Sequence, residues 1–182
     1  MKKLLIGIAI CSISIINSFA QTGKMFPALS GETLDDKKIN LPIDTKGKFT
    51  LVGMAYSKQA EEELRTWFQP VFTTFLEKPK GGLFNESYDV NIYFVPMFTG
   101  VNQAASATAK KKLQEGLDKT FIPHLIIYKG DLKPYKDQLD FEKKDTPYFF
   151  VLDKEGKIVY ATSGKFTEEK LSKIESQLEE AE

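Results

Sequence analysis

The chain alternates between short apolar runs that favour strands and longer stretches with helical spacing. Phe49 to Tyr56 is an apolar run typical of a buried strand. After a polar break at Ser57, apolar residues recur every three or four positions up to about Leu76, which predicts an amphipathic helix. Pro70 removes an internal hydrogen bond and predicts a kink in that helix. The rest of the chain is arranged around this strand–turn–helix junction.

A second strand and helix follow with the same layout. Asp89 to Phe98 is rich in β-branched and aromatic residues and predicts an inner strand. Pro96 is predicted to mark its end, because proline cannot donate a hydrogen bond to a central ladder. Asn102 to Lys119 has Ala or Leu at every fourth position, which predicts a helix. Two strands joined by a helix predict a right-handed parallel crossover.

Hairpins are predicted near both ends of the domain. Ser30 to Leu34 and Lys38 to Leu41 flank a polar turn, and Pro147 to Thr162 contains two apolar runs around a turn with glycine. Residues 121–145 form an insert with a short strand at His124 to Tyr128 and, at Lys133 to Phe141, a polar loop or one helical turn. The predicted fold is therefore α/β, with a mixed four-stranded sheet flanked by helices and an N-terminal hairpin extension.

The N-terminus predicts a signal peptide at residues 1–20, followed by one domain at 21–182. Lys2 and Lys3 precede an apolar run that ends at Ile16, and Ser18-Phe19-Ala20 has the small-x-small form of a cleavage site. The apolar run is shorter than the about 20 residues that a spanning helix needs, so no membrane span is expected after cleavage. These features predict secretion across the inner membrane and a periplasmic location.

Cysteine count and charge exclude several classes of function. Cys11 is the only cysteine and lies in the predicted signal peptide, so the mature domain would lack a thiol for disulfide formation or catalysis. The 25 basic residues are balanced by 25 acidic residues, which leaves no basic footprint for nucleic acid. Lys110 to Lys112 is interpreted as the solvated face of a helix. No cofactor is expected.

Two segments resemble the thioredoxin-like superfamily, in particular its periplasmic thiol-reductase and peroxiredoxin-like branch. In that family the first inner strand leads into a Cys-x-x-Cys motif, and Ser57-Lys58-Gln59-Ala60 occupies those positions here. Thr146-Pro147 and the turn Asp153-Lys154-Glu155-Gly156 resemble the family's cis-proline segment. The layout of residues 121–145 is similar to thioredoxin-like assembly factors of mitochondrial ATP synthase. The resemblance implies a thioredoxin fold with a cis bond before Pro147, and without the family's thiol chemistry.

Ser57 and His124 are weighed as catalytic or metal-binding residues. As a nucleophile, Ser57 would need a base, for which His124 and Lys58 are the candidates. As a helix N-cap, its hydroxyl would accept a hydrogen bond from an amide of the first turn, and this interpretation is favoured. His124 has no spaced cluster of further ligands in the sequence, so a structural or surface histidine is favoured over a metal ligand. No catalytic residue and no metal site are assigned.

The segment before Pro147 has two interpretations that the sequence leaves open. In thioredoxin-like proteins it presents a backbone edge beside the helix N-terminus to an extended partner, but it can also be retained as fold geometry alone. The candidate partner-binding residues are Ser57, Lys58, Gln59, Asp145, Thr146, Pro147 and Tyr148. The predicted function is a redox-inactive binding, chaperone or assembly module of the cell envelope, with an unknown protein partner. The alternative is an enzyme that uses a non-cysteine site at Ser57 or Lys58.

Overall fold

The computed structural model describes residues 21–77 and 88–179. Its strands are β1 (Leu29–Thr33), β2 (Lys38–Leu41), β3 (Phe49–Ala55), β4 (Val90–Thr99), β5 (Ile126–Gly130), β6 (Tyr148–Leu152) and β7 (Ile158–Ser163). Its α-helices are α1 (Lys58–Arg65), α2 (Phe68–Phe75), α3 (Ser106–Gly116), α4 (Lys133–Leu139) and α5 (Glu168–Glu179). Short 3-10 helices cover Ile43–Thr45, Gly100–Ala105 and Lys119–His124.

The strands form a mixed sheet in the order β2-β1-β5-β4-β3-β6-β7. Strands β3 and β4 are parallel, with Phe49 opposite Val90, which confirms that the two predicted strands pair in parallel. Strand β6 is antiparallel to both β3 and β7, and β1 is antiparallel to β2, so both predicted hairpins are present. The structure thus confirms an α/β fold of the thioredoxin-like class with an N-terminal hairpin.

The sheet is wider than the predicted four strands because residues 121–145 contribute to it. Strand β5 lies parallel to β4 on one side and antiparallel to β1 on the other. The segment predicted as an insert therefore joins the N-terminal hairpin to the inner sheet. Its local pattern predicted a short strand, but a strand's neighbours are determined by contacts distant in sequence.

The helix after Ser57 is interrupted as Pro70 predicts. Helix α1 ends at Arg65 and α2 begins at Phe68. Pro70 has no N–H to donate to the carbonyl four residues earlier, that of Thr66, so the continuous hydrogen-bond ladder cannot pass this point. The missing hydrogen bond between Pro70 and Thr66 therefore accounts for the break between Arg65 and Phe68.

The predicted end of the second strand at Pro96 is wrong. Strand β4 continues to Thr99, and Pro96 lies opposite Ala55, the last residue of β3. The ladder between β3 and β4 therefore stops where the proline occurs, while Met97 to Thr99 continue the strand by pairing with β5. The sequence pattern could not reveal this second neighbour.

Each face of the sheet carries an apolar core. One face is covered by α1, α2 and α5, and there the indole of fully buried Trp67 packs on Phe149 with ring centroids 4.1 Å apart. The other face is covered by α4, which contributes Tyr135 and Leu139. Trp67 is thus a core residue, as its helical spacing predicts.

The predicted signal peptide, residues 1–20, lies outside the described residues. Across residues 21–77 and 88–179, the structure contains no helix with both the length and the apolar character required to cross a membrane.

Candidate functional site

Ser57 caps helix α1. Its backbone is extended, and its Oγ accepts a hydrogen bond from Ala60 N at 3.1 Å, as predicted for an N-cap. Ala60 is completely buried against the core, whereas Ser57 is half-buried. The two positions that correspond to the family's cysteines therefore differ in access: the first is at the surface and the second is inside.

His124 lies far from Ser57. Its Nδ1 is 3.0 Å from the carbonyl oxygen of Ile92, near the beginning of β4. Ser57 instead comes two residues after Ala55, which pairs with Pro96, and Pro96 lies four positions beyond Ile92 along β4, or about 13 Å in an extended strand. This contact agrees with a structural histidine and gives Ser57 no base. Within the described part of the chain, no group of three or more His, Cys, Asp or Glu residues could hold a metal ion.

Strands β3 and β6 bring the two halves of the candidate surface together. Their register pairs Met54 with Tyr148, so the chain leaves β3 and enters β6 at the same edge of the sheet. Burial, with smaller contributions from Tyr148 and Asp145, raises the pKa of Tyr56 to about 12. The Asp145 carboxylate is therefore close to the residue that precedes Ser57.

The predicted cis bond before Pro147 is wrong. Among residues 21–77 and 88–179 the cis peptide bond is that between Leu41 and Pro42, and Thr146–Pro147 is trans. A trans X–Pro bond is favoured by about 0.5–1 kcal/mol, so a local pattern does not require the cis form. Pro147 is buried, and its carbonyl accepts a hydrogen bond from Gly164 N at 2.8 Å. This carbonyl is consequently already paired within the fold.

Tyr148 belongs to the core and not to the surface for which it was predicted. Its side chain is buried, with its ring stacked on Phe141 at 4.5 Å. Its hydroxyl accepts from Lys143 N at 2.7 Å and donates to Lys143 O at 3.2 Å. Of the predicted set, Lys58, Gln59 and Asp145 are exposed, and Ser57 and Thr146 are half-buried. We refer to these five residues, together with Lys165, as the motif edge.

Lys165 is a member of the motif edge that the sequence did not indicate. It follows β7, which is antiparallel to β6 and therefore runs in the same direction as β3, toward the edge where Ser57 lies. An open depression of about 570 Å³ separates Lys165 from the first turns of α1, and it is lined by Lys58, Gln59, Glu62, Glu63, Thr66 and Lys165. Only the order of strands places Lys165 there, and no local signal could have found it.

Two further side chains modify the electrostatics near the motif edge. Lys136 of α4 lies with its Nζ 5.9 Å from the centre of the Tyr56 ring, within the range of a cation–π interaction. Burial raises the pKa of the Glu61 carboxyl, and Arg65 opposes that shift. Glu61 does not line the depression that Glu62 and Glu63 line, because adjacent residues of a helix point in different directions around its axis.

Comparison with models of known protein families assigns the chain to a family. A sequence model described as ATP10 protein matches residues 13–180. The chain belongs to the ATP10 protein family. This finding overturns the predicted periplasmic location, because the ATP10 family is a mitochondrial ATP-synthase assembly factor. The N-terminal pattern of basic residues, an apolar run and small residues was therefore not sufficient to predict the compartment. No match was found among curated proteins.

Solved structures show the same fold at low sequence identity. A C-terminal domain assigned as a thiol-disulfide oxidoreductase from Bacteroides thetaiotaomicron is 19% identical, with a TM-score of 0.56 over 88% of this chain and 97% of that one. Yeast Sco1 is 13% identical, with a TM-score of 0.52 over 87% and 96%. A DsbF homologue from Corynebacterium diphtheriae is 18% identical, with a TM-score of 0.51 over 87% and 90%. These likenesses confirm the thioredoxin-like fold of this ATP10 family member.

Proposed function

We propose that this ATP10 family protein is a redox-inactive assembly module, which binds a segment of another protein at the motif edge without subsequent chemistry. The observation that carries the proposal is the pair of positions Ser57 and Ala60. The thioredoxin-like junction is retained around them, but neither residue has a thiol.

Thiol–disulfide exchange needs a thiolate as both the attacking and the leaving group. A serine hydroxyl cannot fill either role, and the Ala60 methyl group is buried in the core. The Ser57 Oγ already accepts a hydrogen bond from an amide of α1. His124 contacts a carbonyl of β4 by a hydrogen bond and lies far from Ser57. These contacts also give no support to an enzyme that uses Ser57 or Lys58.

The same geometry still offers groups that can bind a peptide. The first amides of an α-helix have no partner within the helix, and at α1 the Ser57 side chain and carbonyl engage only those of Ala60 and Glu61. The amides of Lys58 and Gln59 can therefore donate to the carbonyls of a bound segment. Because the Pro147 carbonyl is already used, binding depends on these amides and on the side chains of the motif edge.

The family supplies the candidate partner. Its description connects it to ATP-synthase assembly, so we take an ATP-synthase subunit as the protein bound. An assembly factor needs to hold a subunit and release it, and neither step requires a covalent intermediate. A binding face without thiols is consistent with that task.

Affinity capture with Thr146→Arg tests the proposal. An arginine at this half-buried position would add a long, charged side chain to the motif edge. We expect the tagged wild-type chain to capture ATP-synthase subunits from a native extract, and Thr146→Arg to capture at least about tenfold less. Thr108→Arg, on an exposed position of α3, is the matched control and should capture as the wild type does. Equal capture by both variants would refute a role for the motif edge.

A further inference from the structure

A second depression lies away from the motif edge, between the N-terminal hairpin and helix α3. Its volume is about 470 Å³, within the range of about 300–1,000 Å³ that is usual for small-molecule sites. It is lined by Ser30, Gly31, Glu32, Lys38, Ser106, Ala107, Lys110, Ile127 and Lys129. We refer to it as the lysine depression.

Strand register explains why these side chains share one face. Glu32 of β1 lies opposite both Lys38 of β2 and Ile127 of β5. The antiparallel register of β1 and β5 places Lys129 on the next row of the same face, beside Ser30. Helix α3 crosses above these rows, and its small residues Ser106 and Ala107 leave the gap that forms the depression.

The charges around the lysine depression are not balanced. Lys110 is the most buried of its three lysines, with 16% of its side chain exposed, and its Nζ contacts Glu32 at 2.8 Å and Asp36 at 2.6 Å. Glu32 is the only carboxylate in the lining. In the part of the chain that the structure describes, Lys38 and Lys129 form no ion pair. With Asp36 counted beside Glu32, three lysines stand against two carboxylates around the depression, an excess of one positive charge, and Lys38 and Lys129 are the two lysines without a salt bridge.

We propose that the lysine depression binds a small organic phosphate. A phosphate monoester carries a charge of about −1.5 to −2 at neutral pH, and Lys38 and Lys129, which have no ion-pair partner, are the two lysines left to contact it. Lysine binds phosphate as a point charge, and three lysines line the depression. Ala107 and Ile127 supply an apolar surface on which the organic part of the ligand rests. This site is independent of the partner-binding function proposed above.

Titrations of the full chain, followed by backbone amide chemical shifts in NMR spectra, test the site with phenyl phosphate and inorganic phosphate as probes. We expect phenyl phosphate to shift the amides of Ala107 and Ile127 and to bind at least about tenfold more tightly than inorganic phosphate, because only the former uses the apolar surface. Absence of these shifts at millimolar phenyl phosphate, or equal affinity for the two probes, would overturn the proposal.

Charge and shape variants locate the binding. Lys38→Gln with Lys129→Gln should weaken phenyl phosphate binding by at least about tenfold, because each charge-assisted contact is strong. Lys111→Gln with Lys112→Gln removes the same charge from exposed positions of α3 outside the lining and should leave the affinity unchanged. Ala107→Leu should reduce the affinity for phenyl phosphate more than that for inorganic phosphate. Equal losses in the two lysine pairs would show a nonspecific charge effect and refute the site.

Discussion

The indole Nε1 of Trp67 donates a hydrogen bond to the carbonyl of Gly164 at 3.0 Å. This bond joins the break between α1 and α2 to the loop that follows β7. A second bond, from Phe166 N to Thr66 Oγ1 at 3.1 Å, joins the same two segments. Helix α1 and Lys165 are therefore held in fixed relation on either side of the depression at the motif edge.

Replacing Trp67 by phenylalanine tests this connection. Trp67→Phe removes the hydrogen bond and leaves a cavity at a fully buried position, so we expect the free energy of unfolding to fall by about 2–4 kcal/mol. Urea denaturation measures the change. Phe72→Leu, at a half-buried position of α2, is the control and should cost clearly less. An equal loss for the two variants would show that the indole bond contributes little.

Removing the N-cap of α1 should lower the free energy of unfolding slightly, and a different capping residue should restore it. Ser57→Ala loses the bond to Ala60 N, and we expect a loss of about 1 kcal/mol in unfolding free energy. Ser57→Asp retains a capping oxygen and should restore most of that stability. A reactive probe for serine hydrolases should label neither variant nor the wild type. Labelling of the wild type that disappears in Ser57→Ala would instead establish a nucleophilic serine.

Alkaline pH should destabilise the protein through Tyr56. Its pKa is raised from 10.0 to about 12 in the folded state, so the folded protein keeps the phenol protonated more firmly than the unfolded chain does. The contribution of protonated Tyr56 to the free energy of unfolding is therefore fully present below pH 10. It is lost as the pH rises toward 12, by roughly 2–3 kcal/mol. In Tyr56→Phe this part of the pH dependence should disappear. Urea denaturation curves at pH 9 and pH 11.5 measure this loss for both proteins. An equal loss of unfolding free energy in the wild type and in Tyr56→Phe would contradict the role assigned to Tyr56.

The local parts of the fold could be predicted from the sequence, but the packing around the site could not. The junction at Ser57, its cap and the break near Pro70 depend on residues within one or two turns of each other. Strand β6 is buried along its whole length, so no alternation along it could show that Tyr148 faces the core. The location of Lys165 and the neighbours of β5 depend on strand order.

Restoring the cysteines tests the alignment of the junction. In a chain that also carries Cys11→Ser, Ser57→Cys with Ala60→Cys should form an internal disulfide under mild oxidant, because the two positions share the first turn of α1. Alkylation followed by mass spectrometry counts the free thiols. Ser57→Cys alone provides the control with one reactive thiol. Two free thiols in the oxidised double variant would show that these positions do not form the family's motif.

The mature chain, residues 21–182, which lacks Cys11, should have no thiol activity. We expect neither reduction of a disulfide substrate nor peroxide turnover above background, because a thiolate is needed for both reactions. The double-cysteine variant is the positive control for the disulfide assay. Turnover by the wild-type chain would refute redox inactivity.

Site-specific photo-crosslinking from position 59 tests most directly whether the motif edge binds a partner. Gln59 is exposed on the first turn of α1, where a bound segment would lie. With a photoreactive side chain there, we predict crosslinks to an ATP-synthase subunit, and none from the same group at exposed Lys111 on α3. Crosslinks from position 111 and not from position 59 would contradict the account.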